Sequence, residues 1–250
     1  MTRRTIGILG GMGPLATADL YTKIIQATPA RTDQEHLSVI IHADPSVPDR
    51  TAALLAGGED PSPWLIRGVQ NLANAGADFV VMPCNTAHAF LDRVRPKCPI
   101  PIVSMIDESA AEVRELVPEG GAGGILATSG TLAAGLYQAA LERHGLESLV
   151  PGDSGQARVM ETIERVKAGE IDESTVEPLL IAVRELENAG AGALLAACTE
   201  LPVVLRQDLV HVPLIDPTNV LARAAVRIAT QDDAWNALQH GSAKVQSHVN

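Results

Sequence analysis

Short apolar runs alternate along this chain with longer stretches in which apolar residues recur every three or four positions. The short runs are Ile6–Leu9, Leu37–His42, Phe79–Met82, Pro101–Val103, Gly124–Ala127, Ala193–Ala196 and Val212–Ile215, and they read as buried strands. Helical spacing covers residues 14–27, 62–76, 107–117, 131–143, 154–167 and 173–189. Another helix is expected to open at Pro83-Cys84-Asn85-Thr86, and Asp216 to cap a last one reaching Ala229. Residues 231–250 are polar and are expected to fray. Strands separated by helices predict right-handed βαβ units and parallel sheets covered on both faces.

The pattern occurs twice. Leu72-Ala73-Asn74-Ala75-Gly76-Ala77 leads to Cys84, and Leu186-Glu187-Asn188-Ala189-Gly190-Ala191 leads to Cys198. Cys198 follows Cys84 by 114 residues, as Gly190 follows Gly76 and Leu186 follows Leu72. Gly7–Gly13 matches Gly124–Gly130, and the strand-then-Asp run ending at Asp107 matches the one ending at Asp216. The reading is two similar, duplicated, three-layer α/β domains with parallel sheets. The expected boundaries are 1–103 plus 212–250 for the first and 104–211 for the second. Ligands in such sheets bind beyond the carboxyl ends of the strands. An active-site cleft between the halves is therefore expected, with one cysteine from each.

Composition narrows the function. The chain has 250 residues and a formal charge of −11, with no basic cluster. Nucleic acid and anionic membrane surfaces are poor partners for it. No run is long enough for a membrane helix. Aromatic residues make up 2%, so stacking platforms for bases or flavins are scarce. Three scattered cysteines suit neither a disulfide framework nor a metal site, and a cytoplasmic protein with free thiols is expected.

Cys84 and Cys198 each follow an apolar strand and precede small polar residues able to start a helix. A helix N-terminus favours the thiolate. Either cysteine alone could be an ordinary buried residue. Their equivalent places in a repeat favour chemistry. Two opposed thiols suit inversion of a carbon, where a base removes a proton from one face and an acid returns one to the other. Cys98 has no repeat partner and reads as structural. The helix starts at Gly11–Pro14 (with Met12), Asn85–Thr86, Thr128–Gly130 and Thr199–Glu200 offer N–H groups and hydroxyls to an anion. Plain capping uses the same residues. Gly11–Ala16 also fits a dinucleotide fingerprint, weakly, because the matching turn in the second half suggests a turn requirement. Arg50 lies in a proline-stiffened loop and suits a carboxylate, or else pairs with Asp49. Lys167 at a helix C-terminus is explained equally by the helix dipole. His88 reads as a structural hydrogen-bonding residue.

Taken together, Gly7–Pro14, Pro48-Asp49-Arg50-Thr51, Pro83–His88, Leu126–Thr131, Val166–Gly169 and Cys198–Pro202 closely resemble the aspartate/glutamate racemase family, above all its aspartate racemases. The resemblance runs over about residues 5–228. It implies a racemase independent of pyridoxal phosphate, metal or other cofactor, usually a homodimer, acting on a small dicarboxylic amino acid. It implies Cys84 and Cys198 as the acid–base thiols. Asn85, Thr86, Thr128 and Thr199 would hold the α-carboxylate side, and Arg50 and Lys167 the side-chain carboxylate. Asp44 stands where the family usually carries Asn. Glutamate racemases proper carry Asp-Ser and a His where this chain has Gly10-Gly11 and Glu200. Rival readings are a glutamate or broader amino-acid racemase, a maleate-type isomerase, and a carboxylate-binding protein without activity.

Overall fold

A computed structural model describes residues 3–246, with side chains through residue 240. Two compact units emerge, one of residues 1–53, 58–105 and 218–250, the other of residues 54–57 and 106–217. The expected boundary at 212 moves to 217, because the strand at Leu214–Ile215 hydrogen-bonds within the second unit.

The first unit contains β1 (Ile6–Gly10), α1 (Pro14–Ala27), β2 (Val39–Ala43), α2 (Arg50–Leu55, which runs past residue 53), α3 (Ser62–Asn74), β3 (Phe79–Val81) and α4 (Leu91–Val94). After α5 (Met105–Leu116) the second unit contains β4 (Ala122–Ala127), α6 (Ser129–Ala133), α7 (Leu136–Arg143), β5 (Glu147–Leu149), α8 (Asp153–Lys167), α9 (Glu173–Asn188), β6 (Ala191–Ala197), α10 (Leu201–Val204) and β7 (Leu214–Ile215). Helices α11 (Pro217–Thr230) and α12 (Asp232–Gln246) return to the first unit.

Both sheets are parallel, in the orders β2-β1-β3 and β5-β4-β6-β7. Central strands β1 and β4 are buried at every residue, which explains their continuous apolar runs. Alternate residues of β1 serve opposite faces. Ile6 and Ile8 pack with Leu20, Ile24 and Leu221 of α1 and α11. On the other face, the hydrogens of Gly7 leave room for Leu72 of α3. In β4, Gly123 faces Val113 and Leu141, while Leu126 packs with Val159 and Val183 of α8 and α9. Each unit is thus a three-layer α/β sandwich. Gly76 and Gly190, with φ of 98° and 95°, turn the chain at the matching ends of α3 and α9.

Several local expectations change. Ile102 makes one parallel bridge to Val80 instead of extending a strand. Prolines 99 and 101 supply no N–H groups there. Strand β5 carried no apolar run to announce it. The helix expected over 131–143 breaks at Gly135, which has a φ of 65°. Arg50 opens a helix instead of lying in a loop. The stretch expected to fray forms α12 through Gln246, and residues 247–250 lie outside the described residues. Trp235 explains that helix. It packs against the first core, meets the Phe79 ring at 6.3 Å between centroids, and lies 5.0 Å beneath the Arg4 guanidinium.

Candidate active site

In the first unit, β1 and β3 are neighbours with Ile8 level with Val81. The chain therefore leaves the sheet at Gly11–Gly13 and at Met82–Cys84 along one edge. Gly11 has a φ of 94°, and a Cβ there would meet the Asp44 backbone at 2.3 Å. Its N–H is taken by the Thr17 hydroxyl at 2.9 Å, and that hydroxyl donates to the Gly13 carbonyl at 3.0 Å. The turn needs its glycine for shape, which accounts for the dinucleotide-like pattern. Cys84 is 6% exposed, and Met12, Asn85 and Thr86 are also buried. Beyond Cys84 the chain makes a five-residue 3-10 turn over Thr86–Phe90 in place of the expected helix start.

His88 belongs to that turn and is 5% exposed. The Met105 N–H donates to its Nε2 at 3.1 Å, so the ring proton sits on Nδ1 and is donated to the Cys84 carbonyl at 2.9 Å. The histidine fixes the backbone on which the thiol is mounted.

Arg50 is tied down by the residues just before its helix. Nη1 donates to the carbonyls of Val47 at 3.2 Å and Pro48 at 3.1 Å, and Nη2 reaches the Met12 carbonyl at 3.5 Å. The buried Nε has no hydrogen-bond partner among the described residues. Nε and Nη2 form the side edge of the guanidinium, the geometry that grips a carboxylate with two parallel bonds. Asp49 does not pair with Arg50; it accepts from the Ala52 N–H at 2.6 Å. Asp44 accepts from the Ser46 hydroxyl and N–H, which hold its carboxyl below the usual range, and lies 3.6 Å from Arg67. Its charge is largely committed locally.

In the second unit, Ala127 of β4 is level with Ala197 of β6, so Thr128 and Cys198 leave the sheet side by side. Thr128 caps α6, its Oγ1 accepting from the Thr131 N–H at 3.2 Å, as the plain capping reading required. Cys198 is 7% exposed and belongs to the second core. Its thiol donates to Glu200 Oε2 at 2.8 Å, and the Thr199 hydroxyl donates to the same oxygen at 3.3 Å. Burial first, then the Glu200 carboxylate, push the Cys198 thiol well above its ordinary value; the charge of Lys167 opposes them. This corrects the expectation of a helix-favoured thiolate, since α10 spans only four residues. Lys167 is exposed at the last position of α8, within electrostatic range of Cys198.

Gln156 carried no motif to single it out. Its Nε2 donates to the Ala127 carbonyl at 3.0 Å and to Ser129 Oγ at 3.2 Å. That orientation leaves Oε1 buried and without a hydrogen-bond partner among the described residues, an open acceptor beside Thr128. Cys98 gives its thiol to the Val94 carbonyl at 3.2 Å, in keeping with a structural role. Among the described residues no three His, Cys, Asp or Glu side chains cluster as metal ligands, and no helix is long and apolar enough to cross a membrane.

Residues 9–225 match the family model described as Asp/Glu/Hydantoin racemase. A broad-specificity amino-acid racemase of Bacillus subtilis is 26% identical over 227 residues, covering 88% of this chain and 96% of the relative. The aspartate racemase of Picrophilus torridus superposes with a TM-score of 0.78 at 28% identity, over 97% of this chain and 99% of that one. An aspartate racemase homologue from Pyrococcus horikoshii superposes with a TM-score of 0.74 at 26% identity, over 91% and 100%.

Proposed function

From the premise that this chain belongs to the Asp/Glu/Hydantoin racemase family, we propose that it racemises an acidic amino acid, aspartate foremost, with Cys84 and Cys198 as its two acid–base groups. That it is a racemase follows from the family and its relatives. The choice of an acidic substrate rests on Arg50. A guanidinium anchored through Nη1 by two carbonyls, with a buried Nε that has no partner among the described residues and an Nη2 held only by a long bond to the Met12 carbonyl, is prepared for a carboxylate before the substrate arrives. Lys167 adds a second positive charge.

In this reading one thiolate takes the α-proton and the opposite thiol returns a proton to the other face. The roles exchange with the direction of reaction. Negative charge develops on the α-carboxylate as the proton leaves, and Asn85 and Thr86 supply donors for it, joined by Thr128 and Thr199 when their hydroxyl protons turn from Thr131 and Glu200 to the substrate. The Gln156 carbonyl oxygen is suited to the substrate ammonium. None of these steps calls on pyridoxal phosphate or a metal. We further propose that the protein works as a homodimer in the cytoplasm.

A broader amino-acid racemase is the second reading, supported by the likeness to the Bacillus relative. Purified protein incubated in deuterated, cofactor-free buffer with each enantiomer of aspartate, glutamate and a set of uncharged amino acids separates the two. Aspartate or glutamate should racemise fastest and gain solvent deuterium at the α-carbon. Equal rates on uncharged substrates would transfer the assignment to the second reading. Binding without exchange would reject racemisation of these substrates.

A further inference from the structure

The Cys198 thiol is committed to a carboxylate two residues along the chain. Its S–H points to Glu200 Oε2 at 2.8 Å, in a site 7% exposed at the cysteine. A thiol can donate that bond, whereas a thiolate would confront the carboxylate as a second anion with little water between them. Thr199 gives the same oxygen a second donor and helps to hold it in place. We propose that Glu200 is a positioning residue that keeps Cys198 as the proton-donating member of the pair, so that the first abstraction falls to Cys84. This rests on the reading of both cysteines as acid–base groups.

Cys84 as thiolate takes the α-proton and becomes a thiol; the Cys198 S–H bond breaks and its proton goes to the carbon, leaving Cys198 as thiolate. That anion faces Glu200, and the repulsion drives recovery of a proton from solvent while Cys84 releases one. The other groups acting on this thiol are Lys167 at the end of α8, which favours the thiolate, and the buried Tyr137 of α7. Enantiomers are equal in energy, so kcat/KM must be the same for both in any variant. Glu200 therefore shows itself in how kcat and KM divide. The enantiomer that presents its α-hydrogen to Cys84 meets an enzyme ready to act, and the other awaits the reverse proton distribution.

The test uses Glu200→Gln, which keeps shape and an acceptor oxygen but removes the charge, with Glu200→Ala as a second variant. Iodoacetamide labelling of Cys198 is followed by peptide mass spectrometry from pH 6.5 to 10. The variant should label Cys198 about tenfold faster near neutral pH, a shift of about one unit in its profile, and should narrow the difference between the two enantiomers' kcat values. Lys167→Ala should move the labelling the opposite way. An unchanged Cys198 profile in both Glu200 variants overturns the proposal. A shifted profile with the enantiomers' kcat values unchanged also overturns it, since the first abstraction would then not be set by Glu200. Undiminished racemisation by Cys198→Ala, in contrast, defeats the two-thiol reading beneath it.

Discussion

The same strand-end turn delivers a cysteine in each half of the molecule, yet the two finish in different company. Around Cys84 the backbone is what is held. His88 bridges the Cys84 carbonyl and the Met105 N–H, tying the end of β3 to the start of α5. Around Cys198 the side chain is held, by Glu200, and no histidine follows one turn later. The cationic residues expected to hold an anion differ as well: Arg50 is tied to the carbonyls of Val47 and Pro48, while Lys167 is exposed at a helix end. Duplication has kept the placement of the cysteines and let their surroundings diverge. Equivalent position therefore predicts a shared task, and different neighbours predict unequal shares of it.

The largest effect tests the shared task. Cys84→Ala and Cys198→Ala should each lower kcat/KM by about 10²–10⁴-fold, the usual worth of one positioned acid–base group. The loss must be equal for both enantiomers within each variant. Chiral chromatography of timed samples measures it. A near-normal rate from either variant would leave that half without a part in proton transfer.

Next comes the unequal grip on substrate. Arg50→Ala should weaken aspartate turnover by about 10–100-fold, corresponding to about 1.5–3 kcal/mol for a charge-assisted contact. Lys167→Ala should cost less, because an exposed, mobile ammonium is screened by water. Arg50→Lys should restore little, since an ammonium cannot offer two parallel donors. Equal losses at 50 and 167 would abolish this distinction between the halves.

The shared placement of the cysteines was legible in the sequence, their unlike surroundings were not, and the illegible part has physical causes. Periodicity and the repeat located the central strands, the long helices and both cysteines, because buried parallel strands need unbroken apolar runs. β5 was hidden because a short, partly exposed edge strand needs no such run. Helix α12 was hidden because only a few positions, Trp235 among them, face the core in an otherwise polar stretch. The environment of Cys198 departs from the expectation because the helix after it spans only four residues and a carboxylate takes its thiol proton, neither of which residue type alone specifies. Glu200 stood beside Cys198 in the sequence all along. Its bond to the thiol depends on the local backbone turn, which residue type alone does not specify.

A third expectation concerns stability and the His88 bridge. His88→Leu removes the acceptor of the buried Met105 N–H and the donor to the Cys84 carbonyl. Each buried group left unsatisfied costs about 1–3 kcal/mol. His88→Gln, whose side-chain carbonyl can accept from Met105, should recover part of the loss. Urea unfolding at neutral pH reads both. If His88→Leu is as stable as the parent, Cys84 is positioned by something other than this bridge.

The smallest effect is on the pH dependence of stability. A thiol whose folded value lies above its unfolded one binds its proton more tightly in the native state. Unfolded cysteine ionises near pH 8.5. Below that pH both states carry the proton and the group makes no pH-dependent difference. As pH rises from there toward the folded value, the unfolded state loses its proton first, and stability falls. Burial and Glu200 place Cys198 in this class. Cys98 shares the sign, pushed up by burial to about 11, although its partial exposure reduces its share. The slope should be about 1.4 kcal/mol for each pH unit over which one such thiol stays protonated only in the folded state. Denaturant unfolding compared at pH 7.5 and 9.5 remains below the range where tyrosines ionise. Cys198→Ala should lose less stability over that interval than the parent, whereas Glu200→Gln, which lowers the folded value without removing the thiol, should fall between them. A Cys198→Ala protein that declines as steeply as the parent would show that its thiol is not held protonated by the fold, and the contrast between the two cysteines would then have to rest on His88 alone.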